Sequence, residues 1–390
     1  MDGYRRNAFT WATFGALLSF GFLNAVLGPA LPYLRAVEHI SYVAGALHQV
    51  AFAVGGGLAG MVAARRRREP RRAAVIRIGL LGAALAGLGL GYGGHVAITV
   101  AAAFLVSLFG TSALVRLWAA LADAHARWRT VAMTEGEVCV SLGGVTAPLL
   151  VGGLAGTGLG WSFAFVLGGA MVVAAVLGTG AVRFPPPSPA AVRRPASGRQ
   201  GRPAEAGRRR RPDATLVLVF AIVALEFSLS FWLASYLHDS VGLGRALAAS
   251  MVSALYAANL AGRVLASRLA RRLTTQALLL VSLLVSLLGT PVLLTATQAS
   301  TALVGLLVVG VGIGALFPLT SSIHVANSPG TADGAMGQVL AVAAIGQILG
   351  PLAVGAIAQV AGLRLGLVVL PLLALLGAAA LARHSRVSPA

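Results

Sequence analysis

The chain has 390 residues, of which 57% are hydrophobic and 11% charged, with a mean hydropathy of +0.85, whereas a soluble domain carries roughly a quarter of its residues as charge. Lipid is therefore its main solvent. The net charge of +19 comes from 30 basic residues, all arginine, which excludes a G-x-x-x-x-G-K-[ST] phosphate loop and a Schiff-base lysine; the lone cysteine excludes an internal disulfide.

A spanning helix needs about 20 mostly apolar residues, and the sequence predicts twelve, starting near residues 8, 41, 73, 97, 132, 161, 214, 245, 276, 301, 335 and 364. The first, roughly 8–28, is longer than a signal-peptide core and lacks a small-residue cleavage site before Pro29, so it reads as an uncleaved helix. After the second comes the basic run RRRREPRR (65–72). Gly89, Gly91 and Gly94 of the third satisfy G-x-G-x-x-G, but no strand precedes them and no carboxylate follows about 20 residues on. They read as close helix packing. The fifth span holds Cys139, a small packing residue, and then Gly143, Ala147, Pro148 and Gly152, which spell G-x-x-x-A-P-x-x-x-G. Small residues four apart let two backbones approach, and proline bends its helix into a candidate hinge.

Residues 183–213 form a polar break of proline, glycine and arginine that cannot bury a core and reads as a flexible linker. It divides the chain into 1–182 and 214–390, with six predicted spans each. In the seventh span Glu226 lies about 18 Å in, near the bilayer centre, with Ser230 one turn further on. A charge at that depth costs about 3 kcal/mol or more, so Glu226 is expected to face a protein or water cavity and to carry protons between two access states. The structural alternative is a permanently protonated Glu226 hydrogen-bonded to a neighbouring helix. In the eleventh span Gly346, Gly350, Pro351 and Gly355 repeat the fifth-span pattern, each pair separated by 346 − 143 = 203 residues. A repeat of half the chain inside apolar helices predicts two related bundles around a central site.

An even number of spans puts both termini, the linker and RRRREPRR on one face, and only Arg35, Arg245 and Arg364 on the other. Positive charge is retained on the cytoplasmic side of a bilayer, so the +19 charge is read as topology rather than nucleic-acid binding. The expectation is a multi-pass protein of the cell (inner) membrane with cytoplasmic termini. The seven histidines show no metal-ligand spacing and no nucleophile elbow accompanies them, which argues against an enzyme and against a metal or other cofactor.

These features resemble the major facilitator superfamily over nearly the whole chain. Gly60, Val62, Ala63, Arg65 and Arg68 resemble its G-x-L-x-D-R-x-G-R loop signature, with Ala64 in place of the aspartate, and the related stretch from Gly262 and Arg263 has Arg271 at the corresponding place. Asp123 or Glu135 could replace the missing charge. The fifth-span pattern resembles the family's antiporter signature. At the fourth-span position where the family often places an arginine stands Val106, and Arg116 lies nearer the helix end.

The resemblance implies an all-α fold of twelve transmembrane helices in two pseudo-symmetric six-helix bundles. It also implies that the first, fourth, seventh and tenth spans line a central cavity. Asn24, Ser107, Thr111, Ser230, Phe317 and Ser321 are then the expected cavity residues, with His324 one turn beyond and Tyr42, Gln49, Phe52, Tyr256 and Asn259 as lateral additions. Gly60, Arg65, Arg68, Gly143, Pro148, Gly262, Arg263, Gly350 and Pro351 are the expected gate and hinge positions. The implied function is secondary transport by alternating access, as proton-coupled export of a small amphipathic drug or metabolite. Its partners are that substrate, protons and the lipid bilayer, and the chain is read as a monomer. A proton-coupled nutrient importer and a transport-inactive scaffold or receptor share the same fold.

Overall fold

The computed structural model describes residues 4–65, 71–185, 213–328 and 332–387. The first set of helices is α1 (Ala8–Ala25), α2 (Leu27–Glu38), α3 (Tyr42–Arg65), α4 (Arg72–Tyr92), α5 (Val96–Ala124), α6 (Arg129–Ala155) and α7 (Phe163–Gly180). The second is α8 (Ala214–Asp239), α9 (Arg245–Leu269), α10 (Thr275–Leu294), α11 (Ala299–Ile313), α12 (Leu316–Asn327), α13 (Ala332–Gly366) and α14 (Val369–Val387). Among the described residues ten segments are long and apolar enough to cross a membrane, two of them bent pairs, α1 with α2 and α11 with α12. Two further helices, α9 and α14, pack within the same assembly. α9 falls short in hydropathy because it carries Arg245, Asn259, Arg263 and Arg268.

Both bends have a local cause. Pro29 follows the α1–α2 junction at Val26 and leaves the Ala25 carbonyl without its helical donor, and Pro318 does the same to Gly314 between α11 and α12.

The two sets pack by the same plan. α1 lies on α6 and α7, α3 on α5, and α4 on α5 and α7; in the second set α8 lies on α13 and α14, α9 on α11, and α10 on α11 and α14. The repeated glycines explain the match. A Cβ on Gly143 would strike the backbone of Leu18 and Phe22 in α1, and one on Gly346 would lie 3.0 Å from the Phe220 carbonyl of α8. Between the sets, α6 meets α9, α3 meets α13, and α2 meets α8.

A matching polar knot closes each set at the end where α1 and α8 begin, called here the linker end. Asn7 caps α1 by accepting from the Thr10 amide at 2.9 Å and the Thr10 hydroxyl at 2.8 Å, and His125 at the end of α5 bonds the same hydroxyl at 2.8 Å. Asp213 caps α8 in the same way through Thr215, whose hydroxyl lies 2.6 Å from Nδ1 of His324 at the end of α12. Gln338, at the same 203-residue interval from Glu135, meets His324 Nε2 at 3.2 Å. Glu135 itself accepts from Arg6 and from Tyr4, each at 2.9 Å, and burial followed by that bond pushes the Tyr4 phenol up to about 12.

The far end is held across the two sets. Asp239, at the end of α8, accepts from Arg35 of α2 at 2.7 Å and from the Tyr42 hydroxyl of α3 at 2.9 Å, while the Arg35 guanidinium sits 3.7 Å from the centre of the Tyr42 ring. Gln359 of α13 accepts from the Tyr42 amide at 3.0 Å. Arg364 stays within the second set and donates to the Ser240 and Ala296 carbonyls at 2.9 Å.

At the linker end, Asn7→Ala and Asp213→Ala should each cost about 1 kcal/mol of stability in thermal unfolding of the detergent-purified protein. Burial holds His125 below its ordinary imidazole value, so its contribution is complete above about pH 6.5 and is lost as pH falls from there through the lowered folded value; His125→Gln should flatten part of that decline. At the far end, Arg35→Gln and Asp239→Asn should couple by about 1–2 kcal/mol in a double-mutant cycle. Additive effects would mean that the pair is not a clasp.

Candidate functional site

The deepest acid of α8 sets the centre of the site. Glu226 is about 18 Å from the linker end of its helix, is partly exposed, and has no hydrogen-bond or ion-pair partner among the described residues. Lipid is the costly place for such a group.

Three side chains from facing helices reach the same region. Arg263 and Tyr256, seven residues apart, lie on one face of α9, a helix that packs against α8. The Tyr256 ring rests against Gly144 of α6. From α6, Glu137 places Oε2 3.7 Å from Arg263 Nη1. The Glu137 and Arg263 side chains keep 54% and 39% exposure, although Glu137 lies inside the apolar segment Val131–Ala155. The pair joins α6 of the first set to α9 of the second. Arg263 is held by a second contact, with Nε donating to the Gly314 carbonyl at 3.0 Å, the carbonyl that Pro318 leaves without a helical donor.

The expected cavity residues are placed unevenly. Asn24 is exposed just before the α1–α2 bend, and Ser230 is partly exposed where α8 passes Gly28 of α2. Phe317 packs with Phe227 beside the small cluster of Val219, Val223, Val339 and Ala343. Ser321 is buried and gives its hydroxyl to the Phe317 carbonyl at 2.8 Å. Ser107 and Thr111 turn toward Gly56 of α3, and Ser107 is buried in that contact within the first set. The structure thus does not bring Ser107 together with Glu226.

The expected gate positions divide in the same way. Gly60 has open space around it, Arg65 is exposed in the last turn of α3, and Arg68 lies outside the described residues, as do 186–212 of the linker. Gly262 packs on the Val311 backbone of α11, and Arg263 enters the site. Gly143 and Pro148 lie on α6; Gly350 contacts Ala224 and Ser228 of α8, and the Pro351 carbonyl accepts from the buried Trp232 indole at 2.8 Å. Asp123 pairs with Arg72 at 2.8 Å, tying the basic run before α4 to the end of α5. Among the described residues no His, Cys, Asp and Glu group could hold a metal ion.

Glu137 was missed in the sequence. Its signal was helical spacing: it falls seven residues before Gly144 and eleven before Pro148, the face that α6 turns toward α9.

The sequence profile of the Major Facilitator Superfamily matches residues 12–338. Among solved structures, a bacterial homologue of the human lysosomal transporter Spinster, inward-facing and occupied, superposes with a TM-score of 0.76 at 18% identity, covering 100% of both chains. The nucleoside transporter NupG gives 0.75 at 13% identity, covering 96% of this chain and 99% of its own. A D-xylose–proton symporter gives 0.73 at 18% identity, covering 96% of each. No curated protein matches significantly. With the profile spanning most of the chain and the helices superposing end to end on transporters of this fold, the chain belongs to the major facilitator superfamily.

Proposed function

We propose that the protein is a proton-coupled secondary transporter that exports a small amphipathic organic compound by alternating access. The observation that carries this reading is the unpartnered carboxylate of Glu226 at mid-depth on a helix packed between the two sets. With α9 and α14 counted as spans, the fold has twelve, in halves 1–182 and 214–390 that rock about the site. Arg5, Arg6, Arg65, Arg71, Arg72 and Arg129 at the linker end outnumber Arg35, Arg245 and Arg364 at the far end, which supports a cytoplasmic linker and termini. Protons entering down the gradient would discharge Glu226 and release substrate outward, each charge moved being worth about 2.3 kcal/mol per 100 mV.

The polarity of the site supports the substrate class. Phe227, next to Glu226 in the chain, and Phe317 pack against the cluster of Val219, Val223, Val339 and Ala343, an apolar and aromatic surround that suits an organic body. Arg263 brings a positive charge that the sequence had not placed there, but two carboxylates answer it, so a multiply anionic substrate is disfavoured. A second reading, proton-coupled import, is favoured by the fold match to a D-xylose–proton symporter.

Both readings meet in one experiment, flux of a substrate panel into proteoliposomes under an imposed pH gradient. Glu226→Gln should lower gradient-driven flux at least about tenfold. Equal gradient-driven flux in wild type and variant would remove Glu226 from coupling. Uptake against depletion in cells carrying the protein then separates import from export.

A further inference from the structure

We propose that His48, Thr99 and Glu38 form a one-proton site at the far end of the first set, a pH-responsive brace separate from Glu226 and from the seam between the sets. His48 of α3 and Thr99 of α5 are fully buried, and Glu38 is the half-buried last residue of α2, so three helices meet in the cluster. Nδ1 of His48 lies 3.2 Å from the Gly45 carbonyl and Nε2 lies 2.9 Å from the Thr99 hydroxyl, which in turn lies 3.2 Å from Oε2 of Glu38. Oε1 of Glu38 is buried and has no partner among the described residues.

Hydrogen counting then sets the protonation of the row. It has three contacts and an acceptor at each end, the Gly45 carbonyl and the Glu38 carboxylate. A neutral imidazole brings one hydrogen and the threonine hydroxyl a second, so with an ionised Glu38 one contact holds no hydrogen. One added proton completes the row in either of two ways. On His48 it gives an imidazolium that donates at both nitrogens, while Thr99 donates to Glu38. On Glu38 it gives a carboxyl that donates to Thr99, which donates to Nε2, while Nδ1 donates to Gly45. As one form becomes the other, the proton leaving one end of the row is matched by one arriving at the other. The His95 and Val96 carbonyls, each 3.3 Å from the Thr99 hydroxyl, are rival acceptors, and a hydrogen spent there only deepens the shortfall. Of the ionisable groups around the cluster, His39, Tyr92 and His95 are exposed, Arg35 and Tyr42 are bonded to Asp239, and Arg364 of α13 is bonded to the Ser240 and Ala296 carbonyls. Arg35 is one turn before Glu38 and Tyr42 begins α3, so a proton that ties the ends of α2 and α3 to α5 also steadies the helices that hold Asp239 across the two sets.

Melting of the full-length detergent-purified protein between about pH 5 and pH 8, with no gradient present, tests the site apart from the transport reading. Glu38→Gln supplies the missing hydrogen from its amide at every pH, whereas wild type must hold a proton to complete the row. In the unfolded chain Glu38 is already ionised above about pH 5, so the folded wild type carries the extra proton and loses stability relative to the variant as pH rises. The melting temperature of Glu38→Gln should climb relative to wild type by at least about 2 °C over this range. In the background of His48→Gln, or of His48→Asn where the first does not fold, the row needs no added proton, and Glu38→Gln should then give the same difference at every pH. A difference that stays flat in the wild-type background overturns the proposal, since a solvated carboxylate behaves in that way. A slope that survives the loss of His48 overturns it too, as does a Glu38→Gln protein that does not fold.

Discussion

In a hydrocarbon solvent a polar group without a partner is costly, and the backbone carbonyls and long polar side chains inside the bundle are largely paired within the protein, a constraint that orders the rest of the structure. Proline breaks and helix ends release carbonyls at membrane depth, and side chains from neighbouring helices take them up. Arg263 takes up the Gly314 carbonyl that Pro318 frees and Tyr236 that of Leu293 in the last turn of α10 at 2.8 Å, while Trp232 and Ser253 of α9 satisfy their own donors on the Pro351 and Val145 carbonyls at 2.8 Å. Several of these bonds therefore fall where helices bend or where the two sets meet. The bends that alternating access would use are thus already cross-linked to neighbours by polar contacts, and a moving helix carries its satisfied carbonyl with it.

Duplication supplies the frame and divergence supplies the chemistry. The two linker-end knots keep the same parts, an Asn or Asp cap, a threonine hydroxyl and a histidine, because both first helices of a set need their free amides satisfied at the same place. The packing glycines persist for an equally local reason, since a side chain on Gly143 or Gly346 would force the central helix pair apart. The site residues have no such symmetry. Glu137 stands where the second copy has Leu340, and Glu226 has no acidic counterpart at the matching level of α1.

What could be read in the sequence follows the same division. Apolar length and the 203-residue repeat report on the bilayer and on the duplication, and the helices and the mirrored packing agree with them. Glu226 was visible because depth along a single helix is a one-dimensional quantity. The rest of the site was not, because it depends on which faces of α6 and α9 meet across the seam. Ser107 carried the right polarity on the right span but faces α3, whereas Glu137 was passed over for its neighbour Glu135, which spends its charge on Arg6 and Tyr4. Two residues along a helix rotate a side chain by about 200°, enough to move a carboxylate from the linker-end knot to the central seam.

Two ion pairs cross between the sets among the described residues, and their difference says which end holds the observed state. At the far end Arg35 and Asp239 are 2.7 Å apart, exposed to only 17% and 25%, and reinforced by the Tyr42 hydroxyl and ring. Toward the linker end Glu137 and Arg263 are 3.7 Å apart and two to three times more exposed. A close, shielded, multiply bonded pair is worth more than a long, wet one, so separating the sets at the far end costs more than loosening them at the other. Rocking into the opposite state must then be offset by new interactions at the linker end, and the seam around Arg263 is where a bound ligand could contribute them.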